Sequence, residues 1–217
     1  MKAIVSALQR QGWPAQVVAV VSSNPNAQGL LWAQQQGLET RVVAQANYVT
    51  REACDQALAE CIQGFDPHYV LLAGFMRILS EPFVRQFAGR LINIHPSLLP
   101  AFPGLKTHEQ ALAAGVQWHG CTVHFVTPQL DSGPIIGQAA VFVHPDDTPE
   151  LLAARVLAAE HRLYPEVVSR LVQGHVCLSE AGKVSIGGEA PGAFVALSPA
   201  VYPAQLKVIK AGNEFSQ

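Results

Sequence analysis

Short runs of branched apolar residues alternate along the chain with segments in which apolar residues recur every three or four positions. The runs are typical of strands buried on both faces, and the segments are typical of amphipathic helices. The predicted strands are residues 16–22, 39–43, 68–73 and 90–94. The predicted helices are residues 1–11, 27–36, 50–62 and 80–88. This alternation predicts an α/β fold with a Rossmann-like, doubly wound, mostly parallel sheet.

The pattern changes after Pro100. A short helix at residues 107–114 is followed by two strands, at 120–127 and 134–143, that a hairpin-like turn joins. The remaining predicted elements are a long helix from about 148 to 173, kinked by Pro165, and a small antiparallel hairpin within 176–186. Thr50, Ser80 and Thr148 are each predicted to cap the helix that follows. We therefore expect one domain over residues 1–187 and a Gly/Pro/Ala-rich tail over residues 188–217.

Composition narrows the class of protein. The 217 residues are 49% hydrophobic and 14% charged, which is enough for one sizeable core. The net charge of −2 includes no block of like charges, so neither nucleic acid nor an anionic membrane is an expected partner. The apolar runs are far shorter than the ~18 residues of a membrane span. The four cysteines lack metal-binding spacing, which indicates free thiols in a cytoplasmic protein. The protein is expected to be a monomer or homodimer.

Two polar side chains lie at the end of the predicted strand at residues 90–94. Side chains alternate along a strand, so Asn93 and His95 share one side while Ile92 and Ile94 face the other. An amide and an imidazole therefore emerge together at the carboxyl end of a strand, where open α/β sheets bind ligands.

Two more features are predicted to meet at this edge of the sheet. Asp131 lies in the turn between two strands, and the loop at residues 74–79 follows the neighbouring strand. A protonated His95 and the Asn93 amide could donate to a carbonyl oxygen as it becomes negative, while Asp131 favours the charged imidazole. This combination suits acyl-type transfer without a metal. The alternatives are a hydrogen-bonded structural histidine, an ordinary Asp-Ser-Gly turn and an asparagine that satisfies loop backbone.

A metal site is a weaker alternative. His119 and His124 are candidate ligands together with His95, but their spacing of five places them on opposite sides of the predicted strand. The chain contains no HExxH or similar motif.

Several motifs together resemble the phosphoribosylglycinamide formyltransferases, a family of folate-dependent enzymes of purine synthesis. The motifs are Leu72-Ala-Gly-Phe-Met-Arg-Ile-Leu79, Asn93-Ile-His-Pro-Ser-Leu-Leu-Pro100 with Phe102-Pro-Gly104, His119-Gly120 with Thr122-Val-His-Phe-Val126, and Asp131-Ser-Gly-Pro-Ile-Ile136. The resemblance extends to about residue 173. Methionyl-tRNA formyltransferase and formyltetrahydrofolate deformylase share parts of it, but they carry additional domains.

The resemblance implies transfer of a formyl group from 10-formyltetrahydrofolate, a co-substrate, to the amine of glycinamide ribonucleotide, with no metal. The implied catalytic residues are His95 as general acid, Asn93 as oxyanion donor and Asp131 as proton relay. The implied folate-binding residues are Arg51, Met76, Arg77, Ile78, Leu79, Asn93, Val126, Thr127 and Leu130. The implied ribonucleotide-binding residues are Gly74, Pro96 and Glu160.

The amino end departs from the family pattern, which opens with one more strand and a glycine-rich loop that holds the substrate phosphate at a helix start. This chain begins at that helix, so we expect a formyltransferase fold without its first strand and phosphate loop. Either the start was assigned too late, which we favour, or the chain is truncated. As written, we expect weak folding and little activity. Formyltetrahydrofolate hydrolysis and an inactive folate-binding remnant are the alternative functions.

Overall fold

The structure, a computed structural model, describes residues 1–187, and the predicted tail at 188–217 lies outside the described residues. The helices are α1 (Lys2–Gln11), α2 (Gln28–Gln35), α3 (Arg51–Gln63), α4 (Glu81–Gln86), α5 (Thr107–Ala113) and α6 (Pro149–Val172). The strands are β1 (Val20–Ser22), β2 (Thr40–Val42), β3 (Val70–Leu72), β4 (Leu91–His95), β5 (Trp118–Phe125), β6 (Ile135–Phe142), β7 (Val176–Leu178) and β8 (Val184–Ile186).

The strands form a parallel half and an antiparallel half. β1 pairs with β2 and β3 pairs with β4 in parallel, whereas β4, β5 and β6 are antiparallel neighbours. β7 and β8 form a separate hairpin. The α/β class predicted from the alternating pattern is confirmed, and so are both predicted hairpins. In the described residues no ladder joins β1 to β3.

Helix starts follow the predicted caps at two of three positions. The Thr50 hydroxyl accepts the Ala53 amide, and the Thr148 hydroxyl accepts the Leu151 amide. The prediction was wrong for Ser80, whose hydroxyl makes no cap hydrogen bond. Its backbone amide is instead held by a buried carboxylate, described below. The predicted strand at 16–22 is also shorter than expected, because only its last three residues find a ladder partner.

The core positions β3 and β4. Leu152, Val156 and Leu163 of α6 are at most 1% exposed and belong to the same apolar cluster as Val123 of β5. Each such side chain contributes about 1.5–3 kcal/mol on burial. Tyr164 links α6 to β3 and β4 by hydrogen bonds. Its hydroxyl lies 3.0 Å from the Leu72 carbonyl and 3.1 Å from the Ile92 carbonyl. A second cluster, which includes Phe83, Phe87 and Leu91, packs beneath the other side.

The prediction of free thiols is confirmed. All four cysteines carry free thiols. Among residues 1–187, no helix combines the length and the apolar character that a membrane crossing needs.

Candidate active site

A cavity of about 630 Å³ lies where β3 and β4 end. Its size and mostly apolar walls suit a small-molecule ligand. The cavity is lined by the end of β3 and the loop after it, α4, the end of β4, the loop before α5 and its first turn, the end of β5 and the turn after it, and α6. The lining residues are Leu72, Gly74–Leu79, Val84, Asn93–Pro96, Gly104–His108, His124, Val126–Pro128, Leu130, Asp131, Ala153, Ala154, Val156, Leu157 and Glu160.

His95 lies inside this cavity with both ring nitrogens facing oxygen atoms. Nε2 lies 3.1 Å from the Phe102 carbonyl, and Nδ1 lies 3.5 Å from Oδ2 of Asp131. A carbonyl only accepts hydrogen bonds, so Nε2 carries a proton, and Nδ1 is the nitrogen that faces the Asp131 carboxylate. The His95 and Asp131 side chains are only 7% and 9% exposed. The predicted juxtaposition of imidazole and carboxylate is therefore present.

Asp131 is held in place by an unusual backbone and a second partner. Its φ of 48° is left-handed, a conformation that aspartate tolerates better than most residues. Oδ2 accepts the Gly104 amide at 2.8 Å. Gly133, two residues on, packs so closely that a Cβ would lie 1.8 Å from the Phe125 carbonyl. The tight turn therefore requires glycine at 133 and aims the carboxylate at His95.

Asn93 faces the same cavity from the position opposite His124 on β5. Asn93 Nδ2 lies 3.3 Å from His124 Nε2, and His124 Nδ1 lies 2.9 Å from the Phe125 carbonyl. Burial lowers the pKa of His124, so this imidazole is neutral at neutral pH. Asn93, His95 and Asp131 thus form one constellation, as predicted.

The loop that carries Phe102 and Gly104 is fixed by hydrogen bonds from β5. The Thr122 hydroxyl donates to the Ser97 carbonyl at 2.6 Å and accepts the Leu99 amide at 3.0 Å. Thr122 and Ser97 are fully buried. Because this loop contacts both His95 and Asp131, its anchoring preorganises the pair.

The loop after β3 is anchored to α3 by a buried ion pair. The Arg77 guanidinium contacts the Asp55 carboxylate, and Oδ2 of Asp55 also accepts the Ser80 amide at 2.7 Å. Arg77 Nη1 lies 3.2 Å from the Cys54 thiol. Sequence reasoning assigned Asp55 no role, although an aspartate buried within a helix signals a specific cationic or amide partner.

One wall of the cavity, formed by the loop after β3 and the turn after β5, is apolar and open to solvent. Met76, Ile78 and Leu130 are 76%, 58% and 51% exposed. Soluble proteins rarely display several large apolar side chains around one opening without a ligand for them.

Glu160 on α6 also lines the cavity, as do Gly74 and Pro96. Burial raises the pKa of Glu160 to about 7, and the Met1 amino group acts in the opposite direction. A carboxyl group with such a pKa can hold or release a proton near neutral pH.

The structure brings together every predicted site residue except Arg51. Arg51 starts α3, pairs with Glu52 at 3.5 Å and is not part of the cavity lining, so its folate contact stays a prediction. His108, whose Nδ1 lies 3.2 Å from His119 Nε2, and Lys106 were missed. Burial lowers the pKa of His119 to about 4. Within residues 1–187, no group of three or more His, Cys, Asp or Glu side chains could hold a metal ion.

Comparisons with known proteins identify the family of the chain. The model of the formyl transferase family matches residues 1–168. Phosphoribosylglycinamide formyltransferase of Escherichia coli (strain K12) is 46% identical over 180 residues, which are 83% of this chain and 85% of that protein. The crystal structure of glycinamide ribonucleotide transformylase 1 from Symbiobacterium toebii superposes with a TM-score of 0.81 at 44% identity, covering 85% of this chain and 87% of that one.

A longer relative contains a similar segment. The trifunctional purine biosynthetic protein adenosine-3 of Gallus gallus is 42% identical over 184 residues, or 85% of this chain. The chain spans only 18% of the length of that protein. The family match, the E. coli relative and the shared fold lead to one conclusion: this chain belongs to the formyl transferase family.

Proposed function

We propose that the chain transfers a formyl group from 10-formyltetrahydrofolate to the amine of glycinamide ribonucleotide, in purine synthesis. The observation that carries the proposal is the meeting of His95, Asn93 and Asp131 in one cavity, with His95 Nδ1 3.5 Å from Asp131 Oδ2. The names of the E. coli and S. toebii proteins support the choice of substrates.

The first task of the site is to stabilise negative charge on the formyl oxygen. 10-Formyltetrahydrofolate supplies the formyl carbon, and the substrate amine bonds to that carbon as its bond to N10 breaks. Because Nε2 is bound to the Phe102 carbonyl, His95 donates to the oxygen from Nδ1, as the imidazolium that the neighbouring Asp131 carboxylate favours. Asn93 Nδ2 provides the second donor. Preorganised donors of this kind are each worth about 2.7–4 kcal/mol of transition-state stabilisation.

The second task is to move the proton that the amine loses. Asp131 lies against His95 and holds the imidazolium, and through water it relays the proton towards N10. Glu160, with its pKa raised to about 7 by burial, accepts a hydrogen bond from the amine. N10 takes up one proton as it leaves, so the overall transfer is balanced.

The cavity offers different walls for the two substrates. The mostly apolar wall suits a flat pterin and consists of Met76, Ile78, Leu79, Val126, Thr127 and Leu130. Gly74, Pro96 and Glu160 face the ribonucleotide. No metal takes part in the proposed mechanism, and we place the enzyme in the cytoplasm as a monomer or homodimer.

The test is a formyl-transfer assay with matched variants. Formylglycinamide ribonucleotide is measured by mass spectrometry over a range of ribonucleotide concentrations. His95→Ala and Asp131→Asn are expected to lower kcat at least 100-fold. His68→Ala and Asp66→Asn are the controls, since both residues are exposed and Asp66 shares the left-handed φ, at 46°.

Formate is measured in the same samples without the ribonucleotide. Rapid formate release would establish a hydrolase instead. Folate binding with no turnover of either kind would identify a binding protein and refute the proposed transfer.

A further inference from the structure

We propose that His124 is a positioning residue that fixes the orientation of the Asn93 amide through an imidazole protonated only at Nδ1. The inference rests on the proposed function, because it concerns the donor that Asn93 presents to the formyl oxygen. His124 does not itself contact the reacting atoms in this scheme.

The tautomer of His124 follows from its two partners. Nδ1 lies 2.9 Å from the Phe125 carbonyl, an atom that only accepts, so Nδ1 carries the proton. A neutral ring then has a lone pair on Nε2. The hydrogen-bond partner of that lone pair is Asn93 Nδ2, at 3.3 Å, which donates to it.

This contact decides which end of the amide faces the cavity. With Nδ2 bonded to His124, one of its two N–H groups is used and the other remains free for a ligand oxygen. The flipped amide would set Oδ1 against the Nε2 lone pair. It would also leave Oδ1 as the atom near the formyl oxygen, where it repels negative charge. The neutral imidazole therefore selects the productive orientation.

The backbone supports a specific role for His124. Asn93 and His124 are direct partners in the antiparallel register of β4 and β5. On its other side, the register between β5 and β6 shifts between Val123 and His124. Such irregularities bend a strand and re-aim a side chain next to functional sites.

The surroundings keep the ring uncharged. His124 is 2% exposed, and burial is the main cause that lowers its pKa. The Phe125 carbonyl and Asp131 act to raise it, and His95 acts to lower it. His95 on β4 and Asp131 in the turn are thus the titratable groups that face His124. A further titratable group, Glu160, lines the same cavity from α6.

The test is a double-mutant cycle on kcat for formyl transfer. The four proteins are the wild type, Asn93→Ala, His124→Leu and the double variant. We expect His124→Leu to lower kcat about tenfold in the wild type, with little change in the folate KM, and to have no effect once Asn93 is alanine. His124→Gln restores an acceptor near the Nε2 position and is expected to recover most of kcat. An equal loss in both backgrounds, or no rescue by glutamine, would overturn the proposal.

A measurement without turnover keeps the test decisive. Nitrogen NMR of labelled histidine is expected to show His124 protonated at Nδ1 and bare at Nε2. His124→Leu is expected to shift the Asn93 side-chain amide signals, while His68→Leu, at an exposed site, leaves them unchanged. A proton on Nε2 refutes this inference alone, whereas absent formyl transfer with the expected tautomer refutes only the proposed function.

Discussion

The buried pair of Asp55 and Arg77 gives the sharpest stability prediction. The Asp55 side chain is 1% exposed and the Arg77 side chain is 19% exposed. Asp55→Ala leaves a largely buried guanidinium without its carboxylate and removes the acceptor of the Ser80 amide. Removing one member of a buried pair costs about 3–5 kcal/mol. We expect Asp55→Ala to lower the free energy of unfolding by about 4 kcal/mol, within this range.

The pair also predicts strong coupling between two substitutions. Arg77→Met strands the Asp55 carboxylate and is expected to cost about 3 kcal/mol. The double variant has no stranded charge, so its loss should be well below the sum of the two single losses, with a coupling energy of about 2–3 kcal/mol. The folate KM should rise in all three variants, because the anchored loop carries the apolar wall.

Urea unfolding at pH 7, followed by circular dichroism, measures these free energies. The control is the exposed pair of Glu81 and Arg85, whose side chains are 57% and 72% exposed. Glu81→Ala with Arg85→Met is expected to show a coupling below about 0.5 kcal/mol. If the losses from Asp55→Ala and Arg77→Met simply add, the reasoning from the buried pair is refuted.

Three further predictions test the site and the core. Burial raises the pKa of Glu160 from 4.5 to about 7, so the folded state holds a proton that the unfolded state has already lost. Folding stability should therefore fall as pH rises from about 4.5 to 7. Glu160→Gln should remove that fall, as measured in thermal melts. Gly133→Ala should push a Cβ against the Phe125 carbonyl, cost about 1–3 kcal/mol and lower kcat more than Asp66→Asn does. Leu152→Ala, at a fully buried position, should cost about 2–5 kcal/mol in urea unfolding without changing the folate KM.

The grouping of Asn93, His95 and Asp131 could be predicted because its parts obey local rules. Asn93 and His95 are two positions apart on a buried strand, so strand alternation alone places them together. Asp131 follows from a turn that must close beside the same strand ends. Cavity residues from the loops at 74–79 and 126–130 follow from the resemblance, since no periodicity marks them.

The supporting contacts depend on tertiary packing and leave little local signal. Asp55 resembles any polar residue of a helix until Arg77, 22 positions later, is known to lie beside it. Ser80 has the composition of a helix cap, but tertiary packing gives its amide to Asp55. The contact between His124 and Asn93 depends on the register between β4 and β5, which the hydrophobic pattern does not predict.

The separation of β1 and β2 from the four-stranded sheet has a consequence for local unfolding. β4 is flanked by ladders on both sides, whereas β1 is paired on one side only. Amide protons of Val20–Ser22 should therefore exchange with solvent through small openings that leave Leu91–His95 protected. Deuterium uptake would separate the two regions, with β4 as the slower-exchanging of the two.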